Sequence, residues 1–369
     1  MLDTDRNTPN ADEFERVLTS LGVKAKVESV DEEYPLSRYF VRLDPQTRLS
    51  KLEGMAEDIA LAMRPIAPPV IRPSFNSGQV IVEMMFAEHP IVNFDDIWSN
   101  DMTGNLPLLL GTTDIHTPLT IELTKMPHLI VAGTTGSGKS MLLHAMITSI
   151  LRTYMSAGIK LALVDPKLVE FNRYAGHPAL LYPVVNDSEL AIDMLEDLRN
   201  EMNNRFQVFQ KYKCRDIGEY RSRVKKIPYI VLVIDELADP MRVKGFEKLL
   251  CEMAQKSRAA GIHIIAATQH PSSKVLTGEI RANFPSKIAC KVSTQVHSRV
   301  VLDRHGAENL LGKGDALLLD ESGGTYRFRG ALVSHSPKVN LRKQMSATDN
   351  KSSSTFIGRL LSAIKRTRN

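Results

Sequence analysis

Residues 125–140, KMPHLIVAGTTGSGKS, constrain the fold of this chain more than any other stretch. The spacing G-x-x-x-x-G-K-[ST] is filled by Gly133, Gly138, Lys139 and Ser140. The apolar run at residues 129–132 predicts a buried strand before the loop, and the apolar spacing of residues 142–150 predicts a helix after it. This order of strand, glycine-rich loop and helix is the context that a phosphate-binding loop requires.

The composition of the loop predicts how it would hold a nucleotide. Glycines let the backbone turn tightly and aim its amides at phosphate oxygens, where the helix N-terminus adds positive potential. We expect Lys139 to reach the β and γ phosphates and the Ser140 hydroxyl to hold Mg²⁺. The predicted nucleotide-binding residues are Gly133, Thr134, Thr135, Gly136, Ser137, Gly138, Lys139 and Ser140.

A second apolar run, residues 229–234, ends in the carboxylates of Asp235 and Glu236. At the tip of a strand beside a phosphate loop, Asp235 is expected to hold Mg²⁺, and Glu236 to act as general base toward the attacking water. The sequence contains no Asn-Lys-x-Asp motif of the kind that reads guanine. The predicted cofactors are therefore ATP and Mg²⁺.

Two further residues are weaker candidates. Gln269 follows the predicted strand at residues 262–268, where an amide can sense the γ-phosphate, although a plain turn glutamine is the alternative. Arg258 follows a helical stretch whose apolar face lies within residues 246–254. It could complete the nucleotide site of a neighbouring subunit, or it could be only a solvated charge.

Strands and helices alternate after residue 125, which predicts an α/β fold with a parallel central sheet. The expected strands are residues 129–132, 159–165, 229–235, 262–268 and 287–292. Residues 287–292 are more polar than the others, so we expect that strand at an edge of the sheet. A long helix is expected at about residues 188–212, with Asp187 as its N-cap.

The rest of the chain divides by composition. Residues 1–10 are polar and expected to be disordered. Residues 11–95 predict a small α+β domain, with one helix expected at residues 49–63. Residues 96–124 predict a connecting arm before the ATPase domain at residues 125–336. Residues 337–369 predict a basic linker and a short tail, whose apolar positions are Phe356, Ile357, Leu360, Leu361 and Ile364.

Charge and hydropathy narrow the functional classes. Residues 338–369 hold eight lysines and arginines against one aspartate, a charge of +7, whereas the whole chain of 369 residues carries +5. Basicity is therefore a property of the tail, which could contact DNA, a protein partner or an anionic surface, or could simply be solvated. No apolar run approaches the roughly 18 residues of a membrane span, and the three cysteines form no metal or disulfide pattern. We expect a cytoplasmic protein without membrane insertion.

Five motifs in this order resemble the FtsK/SpoIIIE family of DNA translocases. They are GTTGSGKS at 133–140, DPK at 165–167, YIVLVIDELAD at 229–239, QKSRAAGIHIIAATQ at 255–269 and GAENLLGKGD at 306–315. The resemblance implies a RecA-like motor domain and a small α domain, assembled as a hexameric ring around double-stranded DNA. Relatives that act at the division septum also carry N-terminal membrane spans and a C-terminal winged-helix domain, and neither pattern is found in this sequence.

The resemblance also assigns roles by position. Gln269 matches the family's sensor, and Arg258 matches the arginine that reaches the ATP of the neighbouring subunit. Residues 270–299 correspond to the pore loops that grip DNA, and the predicted DNA-binding residues are His270, Lys274, Arg281, Lys291 and Arg299. The family usually has arginine at position 270 and often lysine at position 295, where this chain has His270 and Gln295. These two phosphate contacts are expected to be weaker here.

The sequence therefore predicts an ATP-driven translocase on double-stranded DNA. Two alternatives remain open. The first is a coupling ATPase that delivers DNA to a conjugation or packaging machine, and the second is a DNA-bound recruitment ring that needs ATP binding but not turnover. Both share every nucleotide-binding residue with the translocase, so the motifs alone do not separate the three.

Overall fold

The computed structural model describes residues 10–334, except 34–35, 75–76, 88–89, 100–101, 114–116 and 127. The predictions for residues 1–9 and for the basic tail at 337–369 lie outside the described residues. None of the helices in the described part is both long enough and apolar enough to cross a membrane.

The N-terminal part is a small domain in which helices cover one antiparallel sheet. Its four strands pair in the order β1-β2-β4-β3. The elements are α1 (Ala11–Ser20), β1 (Ala25–Glu33), β2 (Leu36–Leu43), α2 (Leu49–Glu53), α3 (Ala56–Met63), β3 (Val70–Ser74) and β4 (Gln79–Met85). The single helix predicted at residues 49–63 is divided into two helices, because α2 ends at its C-cap Gly54 before α3 begins. Phe14, Tyr39 and Ile59 are completely buried in the core of this domain.

The larger domain is built on a nine-stranded sheet. Its first elements are α4 (Phe94–Ile97), β5 (Pro107–Thr112), β6 (Pro118–Glu122), β7 (His128–Ala132), α5 (Lys139–Ala157), β8 (Ile159–Val164), α6 (Ser188–Tyr212) and α7 (Ile217–Arg223). The remainder are β9 (Tyr229–Ile234), α8 (Phe246–Lys256), β10 (Ile262–Thr268), α9 (Gly278–Asn283), β11 (Ser286–Cys290), α10 (Gln295–Leu302), β12 (Asp315–Leu319) and β13 (Thr325–Gly330). The strand order is β6-β5-β13-β12-β11-β7-β10-β9-β8.

The parallel half of this sheet, β11-β7-β10-β9-β8, is buried on both faces. Alternate side chains of one strand enter different cores: Ile230 and Leu232 pack toward α6 and α8, whereas Val231 and Val233 pack toward α5. Apolar residues on both faces explain why these strands read as continuous hydrophobic runs in the sequence. As predicted, the side chain of Asp187 caps α6 by accepting hydrogen bonds from the amides of Glu189 and Leu190.

The antiparallel half of the sheet corrects two expectations. β11 is not an edge strand, because it lies between β7 and β12. It pairs parallel with β7 and antiparallel with β12. Its polar Lys287 is buried nonetheless, and its ammonium contacts the Asp303 carboxylate at 2.5 Å. The predicted connecting arm holds β5 and β6, which join the same sheet through β13. The sheet of the larger domain therefore begins before residue 125.

Buried charge joins the small domain to the large sheet. Glu83 in β4 is buried and accepts hydrogen bonds from Arg72 at 2.9 Å and from Arg38 at 3.3 Å. Burial would raise the pKa of Glu83, but these two arginines, together with the charge of Arg327, outweigh it and hold this pKa below the ordinary value. The same arginines cross to the larger domain, where Arg72 donates to the carbonyl of Thr325 and Arg38 to that of Thr113.

Candidate active site

The glycine-rich loop joins the end of β7 to the start of α5. We call this end of the parallel strands the carboxyl edge of the sheet, and the opposite end the amino edge. Gly138 has φ +102°, and a Cβ placed on it would lie 2.3 Å from the backbone nitrogen of Gly314. Only glycine fits there, because a side chain would meet both left-handed strain and a backbone clash. Directly after it, Lys139 and Ser140 open the first turn of α5.

Backbone atoms from three other segments hold the loop in place. The amide of Gly133 donates to the carbonyl of Thr268, and the amide and hydroxyl of Thr134 both donate to the carbonyl of Lys291. From the turn before β12, the amide of Gly314 donates to the carbonyl of Ser137 at 2.8 Å. The loop is therefore fixed by the end of β10, the residue after β11 and the turn at residues 312–314, and not by its own sequence alone.

Lys139 and Asp235 form a buried ion pair at the carboxyl edge. The Lys139 ammonium donates to the carboxylate of Asp235 at 2.9 Å and to its backbone carbonyl at 2.7 Å. Both side chains are almost completely buried. Burial raises the pKa of Asp235 above its ordinary value, although the charge of Lys139 opposes that shift. The structure thus brings together the lysine and the first carboxylate that the sequence predicted for the same site.

Glu236 is held by three hydrogen-bond donors. Its two carboxylate oxygens accept the Thr268 hydroxyl at 2.7 Å, the Gln269 amide at 2.8 Å and the Ala238 amide at 3.1 Å. The side chain of Gln269 in turn accepts a hydrogen bond from the hydroxyl of Thr135 at 2.9 Å. Gln269 therefore connects the predicted general base to the glycine-rich loop through one backbone and one side-chain contact.

A cavity of about 500 Å³ opens over the loop. This volume is in the range of pockets that hold small ligands. One wall is apolar and is formed by Ile91, Val92 and Leu332, whereas the loop itself and Gln269 form the polar floor. Three cationic side chains and one carboxylate also border the cavity: Lys139, Lys313, Arg329 and Glu170. An apolar wall beside a polar floor bordered by cations suits a ligand with a flat base and a phosphate tail.

Comparison with known proteins identifies the family. The profile of the FtsK/SpoIIIE family matches residues 96–227 and 222–273. DNA translocase SpoIIIE of Bacillus subtilis is 39% identical over 343 residues, which cover 88% of this chain and 44% of that protein. DNA translocase FtsK of Lactococcus lactis subsp. cremoris is 38% identical over 339 residues, covering 87% of this chain and 45% of that protein. The chain belongs to the FtsK/SpoIIIE family. It spans less than half the length of these two relatives.

Solved structures similar to this FtsK/SpoIIIE chain share its fold. The conjugation coupling protein TcpA of pCW3, in a monomer form with ATPγS, superposes with a TM-score of 0.61 at 23% identity, covering 87% of this chain and 94% of that one. The cytoplasmic domain of the Thermomonospora curvata type VII secretion ATPase EccC gives a TM-score of 0.56 at 21% identity, covering 73% of this chain and 32% of that one. The larger domain therefore has the predicted P-loop ATPase fold.

Arg258 lies away from the cavity in this FtsK/SpoIIIE chain. It precedes β10 and is exposed at the amino edge, whereas the glycine-rich loop follows the parallel strand β7 at the carboxyl edge. The seven residues of β10 separate the two edges, a span of roughly 20 Å at about 3.3 Å per residue. Within one chain, Arg258 and the loop do not meet.

The predicted DNA-binding residues differ in their surroundings. His270, Lys274 and Arg299 are exposed, and Arg299 donates to the ring of His305 at 2.9 Å. Arg281 is half-buried and pairs with Asp303 at 3.1 Å. Lys291 is half-buried beside the nucleotide site, where its side chain packs against Gly312. The five residues therefore do not form one uniform exposed group.

Sequence reasoning missed three residues that shape the site. Thr268 fixes Glu236, and Lys313 and Arg329 border the cavity. A threonine directly before Gln269 was a visible signal, since a polar residue at the end of a buried strand needs a partner. The GKG sequence at 312–314 was also visible, but its contact with the glycine-rich loop joins residues about 180 positions apart.

The donors present at the carboxyl edge fit Mg²⁺ bound together with a nucleotide. Mg²⁺ usually takes one or two carboxylates and fills its remaining positions with phosphate oxygens and water. Asp235 offers a buried carboxylate, and Ser140 offers a half-exposed hydroxyl at the start of α5. Among the described residues, no group of three or more His, Cys, Asp or Glu side chains could form a closed metal site.

Proposed function

We propose that this protein hydrolyses ATP and uses the reaction to move along double-stranded DNA. The observation that carries the proposal is the position of Gln269. Its backbone holds Glu236, its side chain contacts the glycine-rich loop, and the next residues begin the segment with the exposed cations His270 and Lys274. A change at the γ-phosphate would thus reach this segment through a single residue. The names of the two related DNA translocases support the same assignment.

The residues of the carboxyl edge would divide the chemistry among them. Lys139 would leave part of its contact with Asp235 to bind the β and γ phosphates. Asp235 and Ser140 would hold Mg²⁺, which neutralises charge on the phosphates. Glu236 would accept the proton of the attacking water, and its three hydrogen bonds would keep it oriented toward that water.

DNA contact in this proposal is made by charge and not by base reading. His270, Lys274 and Arg299 are exposed on the segment that follows Gln269. Lysine and arginine contacts to phosphates position a duplex without reading its sequence, and they weaken as salt concentration rises. We therefore propose that affinity for duplex DNA depends strongly on salt and little on sequence.

The proposed active assembly is a ring, with six subunits as the family resemblance implies. Since Arg258 lies at the amino edge, it would reach an ATP only in a neighbouring copy. A head-to-tail arrangement would place the amino edge of one subunit against the carboxyl edge of the next. In that position the guanidinium would stabilise charge on the transferring phosphoryl group.

The first test compares wild type with Lys139→Ala and Glu236→Gln. We expect DNA-stimulated, Mg²⁺-dependent ATPase activity in wild type, with displacement of a third strand bound to a linear duplex. Lys139→Ala should lose nucleotide binding. Glu236→Gln should keep binding but lose turnover, because an amide cannot accept the proton. A Lys139→Ala protein that still displaced the strand would refute the motor.

Strand displacement in vitro and the Glu236→Gln variant in cells separate the two alternatives. Full strand displacement on naked DNA would exclude a coupling ATPase that needs a partner to work. Cells that function normally with Glu236→Gln would instead support the recruitment ring, since that variant binds ATP without hydrolysing it.

A further inference from the structure

Lys313 has an unusual backbone conformation for a lysine. Its φ is +49°, and it lies between Gly312 at +86° and Gly314 at +99°. Three consecutive residues thus have left-handed φ angles, in which glycine is unstrained and a lysine is not. A strained residue that persists where glycine would be easier suggests that its side chain is used.

Helix termination does not account for this conformation. Among the described residues, five non-glycine residues have positive φ: Arg64, Leu168, Lys213, Asp303 and Lys313. Arg64, Lys213 and Asp303 are the C-caps of α3, α6 and α10, a position where the left-handed conformation is common. Leu168 lies in the loop after β8, and Lys313 lies in the turn before β12, so neither ends a helix.

The backbone of the turn does not need a lysine either. Its contacts with the glycine-rich loop are made by the amides of Lys313 and Gly314, which donate to the carbonyls of Gly136 and Ser137 at 3.3 and 2.8 Å. A glycine at position 313 would supply the same amide. What lysine adds is its side chain, which is exposed and borders the cavity on the side of Gly138.

Arg329 supports the turn from the neighbouring strand β13. Its guanidinium donates to the carbonyl of Gly312 at 3.2 Å, and it borders the same cavity. The charged side chains around the cavity are then Lys139, Lys313 and Arg329 against Glu170. Lys313 and Arg329 therefore bring two positively charged side chains to the cavity that the glycine-rich loop also borders.

We propose that Lys313, supported by Arg329, binds the phosphate tail of the nucleotide from within the same chain. This inference rests on the proposed ATPase function and adds a second phosphate-binding lysine to it. Lys139 would hold the phosphates from the start of α5, and Lys313 would hold them from the turn at 312–314. Because the turn at 312–314 is hydrogen-bonded to the loop, both lysines move with one rigid unit.

The test uses Lys313→Asn, Lys313→Arg and the matched control Lys213→Asn. Asparagine tolerates positive φ, so the turn should persist without the charge. Lys213 has nearly the same φ, +54°, but caps α6 away from the cavity. Affinity is measured by titration with ATPγS and ADP in the absence of DNA, and folding is measured by Tm.

We expect Lys313→Asn to weaken ATPγS binding about ten- to a hundredfold, which corresponds to one charge-assisted hydrogen bond. Its Tm should equal that of wild type, Lys313→Arg should restore most of the affinity, and Lys213→Asn should bind like wild type. Lys313→Gly gives a second variant in which the turn is unstrained.

Three outcomes would overturn the inference. The first is unchanged affinity in Lys313→Asn. The second is an affinity loss in Lys213→Asn of the same size. The third is an affinity loss in Lys313→Asn that Lys313→Arg does not restore, combined with an affinity loss in Lys313→Gly that is accompanied by a lower Tm. That result would mean that residue 313 supports the fold and does not contact the nucleotide. Failure of the proposed function would look different, since wild type itself would then bind no ATPγS.

Discussion

The two ends of the same parallel strands have opposite chemistry. At the carboxyl edge, Lys139, Asp235 and Glu236 are buried charged groups. The Lys139 ammonium and the Glu236 carboxylate each make at least two hydrogen bonds of 2.7–3.1 Å, and the Asp235 carboxylate accepts one from Lys139 at 2.9 Å. At the amino edge, the imidazoles of His128 and His263 are buried with their ring centroids 6.4 Å apart, and the buried guanidinium of Arg205 donates to the carbonyl of Ala260. The carboxyl edge gathers its charged groups around a cavity, whereas the amino edge packs two histidine rings into the core.

This difference teaches how the chain would divide a shared site. The burial of charge is expensive unless every group is paired, and the carboxyl edge meets that condition. The amino edge presents the exposed guanidinium of Arg258 to its surroundings. In the proposed ring, this guanidinium would serve the nucleotide site of a neighbouring chain. The predictions below test whether the two edges act together.

The largest effect is expected from Arg258→Ala. If the two edges of neighbouring subunits form one site, this variant should bind ATP normally but lose turnover by about 10³-fold or more. Lys256→Ala is the matched control, because Lys256 is a nearby exposed cation that pairs with Glu252 in its own helix. ATPase assays on the purified variants measure both.

Mixing experiments show whether Arg258 acts in a neighbouring chain. Neither Arg258→Ala nor Glu236→Gln should hydrolyse ATP alone. A mixture would contain some interfaces with an intact Glu236 from one chain and an intact Arg258 from the other, so part of the activity should return. If no mixing ratio restores activity, Arg258 does not complete a neighbour's site.

The next effect concerns the fixed geometry of the carboxyl edge. Gly138→Ala should destabilise the protein strongly, because the new Cβ would lie 2.3 Å from the Gly314 nitrogen and 2.5 Å from its Cα. Gly136→Ala meets nothing within 4 Å, although its φ is also positive at +77°. It should cost only the left-handed strain, about 1–2 kcal/mol. Denaturant unfolding without nucleotide measures both, and equal losses would show that the clash is relieved.

The carboxyl edge was also the part of the molecule that the sequence predicted best. The glycine-rich loop, Asp235 and Glu236 follow strands that are continuous apolar runs, so each could be placed at a strand end by local pattern alone. Parallel strands bring such ends to one edge, which explains why separate motifs meet there. Their catalytic roles remain predictions.

The remaining features depend on contacts between distant segments. β11 was predicted at an edge because Lys287 is polar, but Asp303 neutralises that lysine, and the β12–β13 hairpin covers the strand. The sequence predicts an arm at β5 and β6 because the pairing of β5 with β13, which joins them to the sheet, links residues more than 200 positions apart. The conformation of Lys313 could not be predicted, since a backbone φ angle has no periodic pattern in the sequence.

The smallest effect is a pH dependence that belongs to the amino edge. Burial, together with the nearby His263, lowers the pKa of His128 from 6.5 to about 3. Its Nδ1 accepts a hydrogen bond from the amide of Ile264 at 3.2 Å. The folded protein therefore keeps this histidine neutral at pH values where the unfolded chain protonates it.

The sign of the effect follows from proton uptake. Between pH 6.5 and 3 the unfolded chain binds more protons than the folded one, so stability is full above pH 6.5 and falls as pH decreases. One such histidine contributes a slope of at most about 1.4 kcal/mol per pH unit. His128→Asn keeps an acceptor for Ile264 without a titrating ring, and it should flatten the dependence measured by denaturant unfolding.

His144 provides the control at the other end of the strands. It lies in α5, where burial also lowers its pKa, but the carboxylate of Glu170 at 3.2 Å opposes that shift. His144→Asn should therefore flatten the pH dependence less than His128→Asn does. If the two variants changed the slope equally, the folded protein would disfavour protonation of His128 and His144 to the same extent. The contrast between the two edges would then not extend to their histidines.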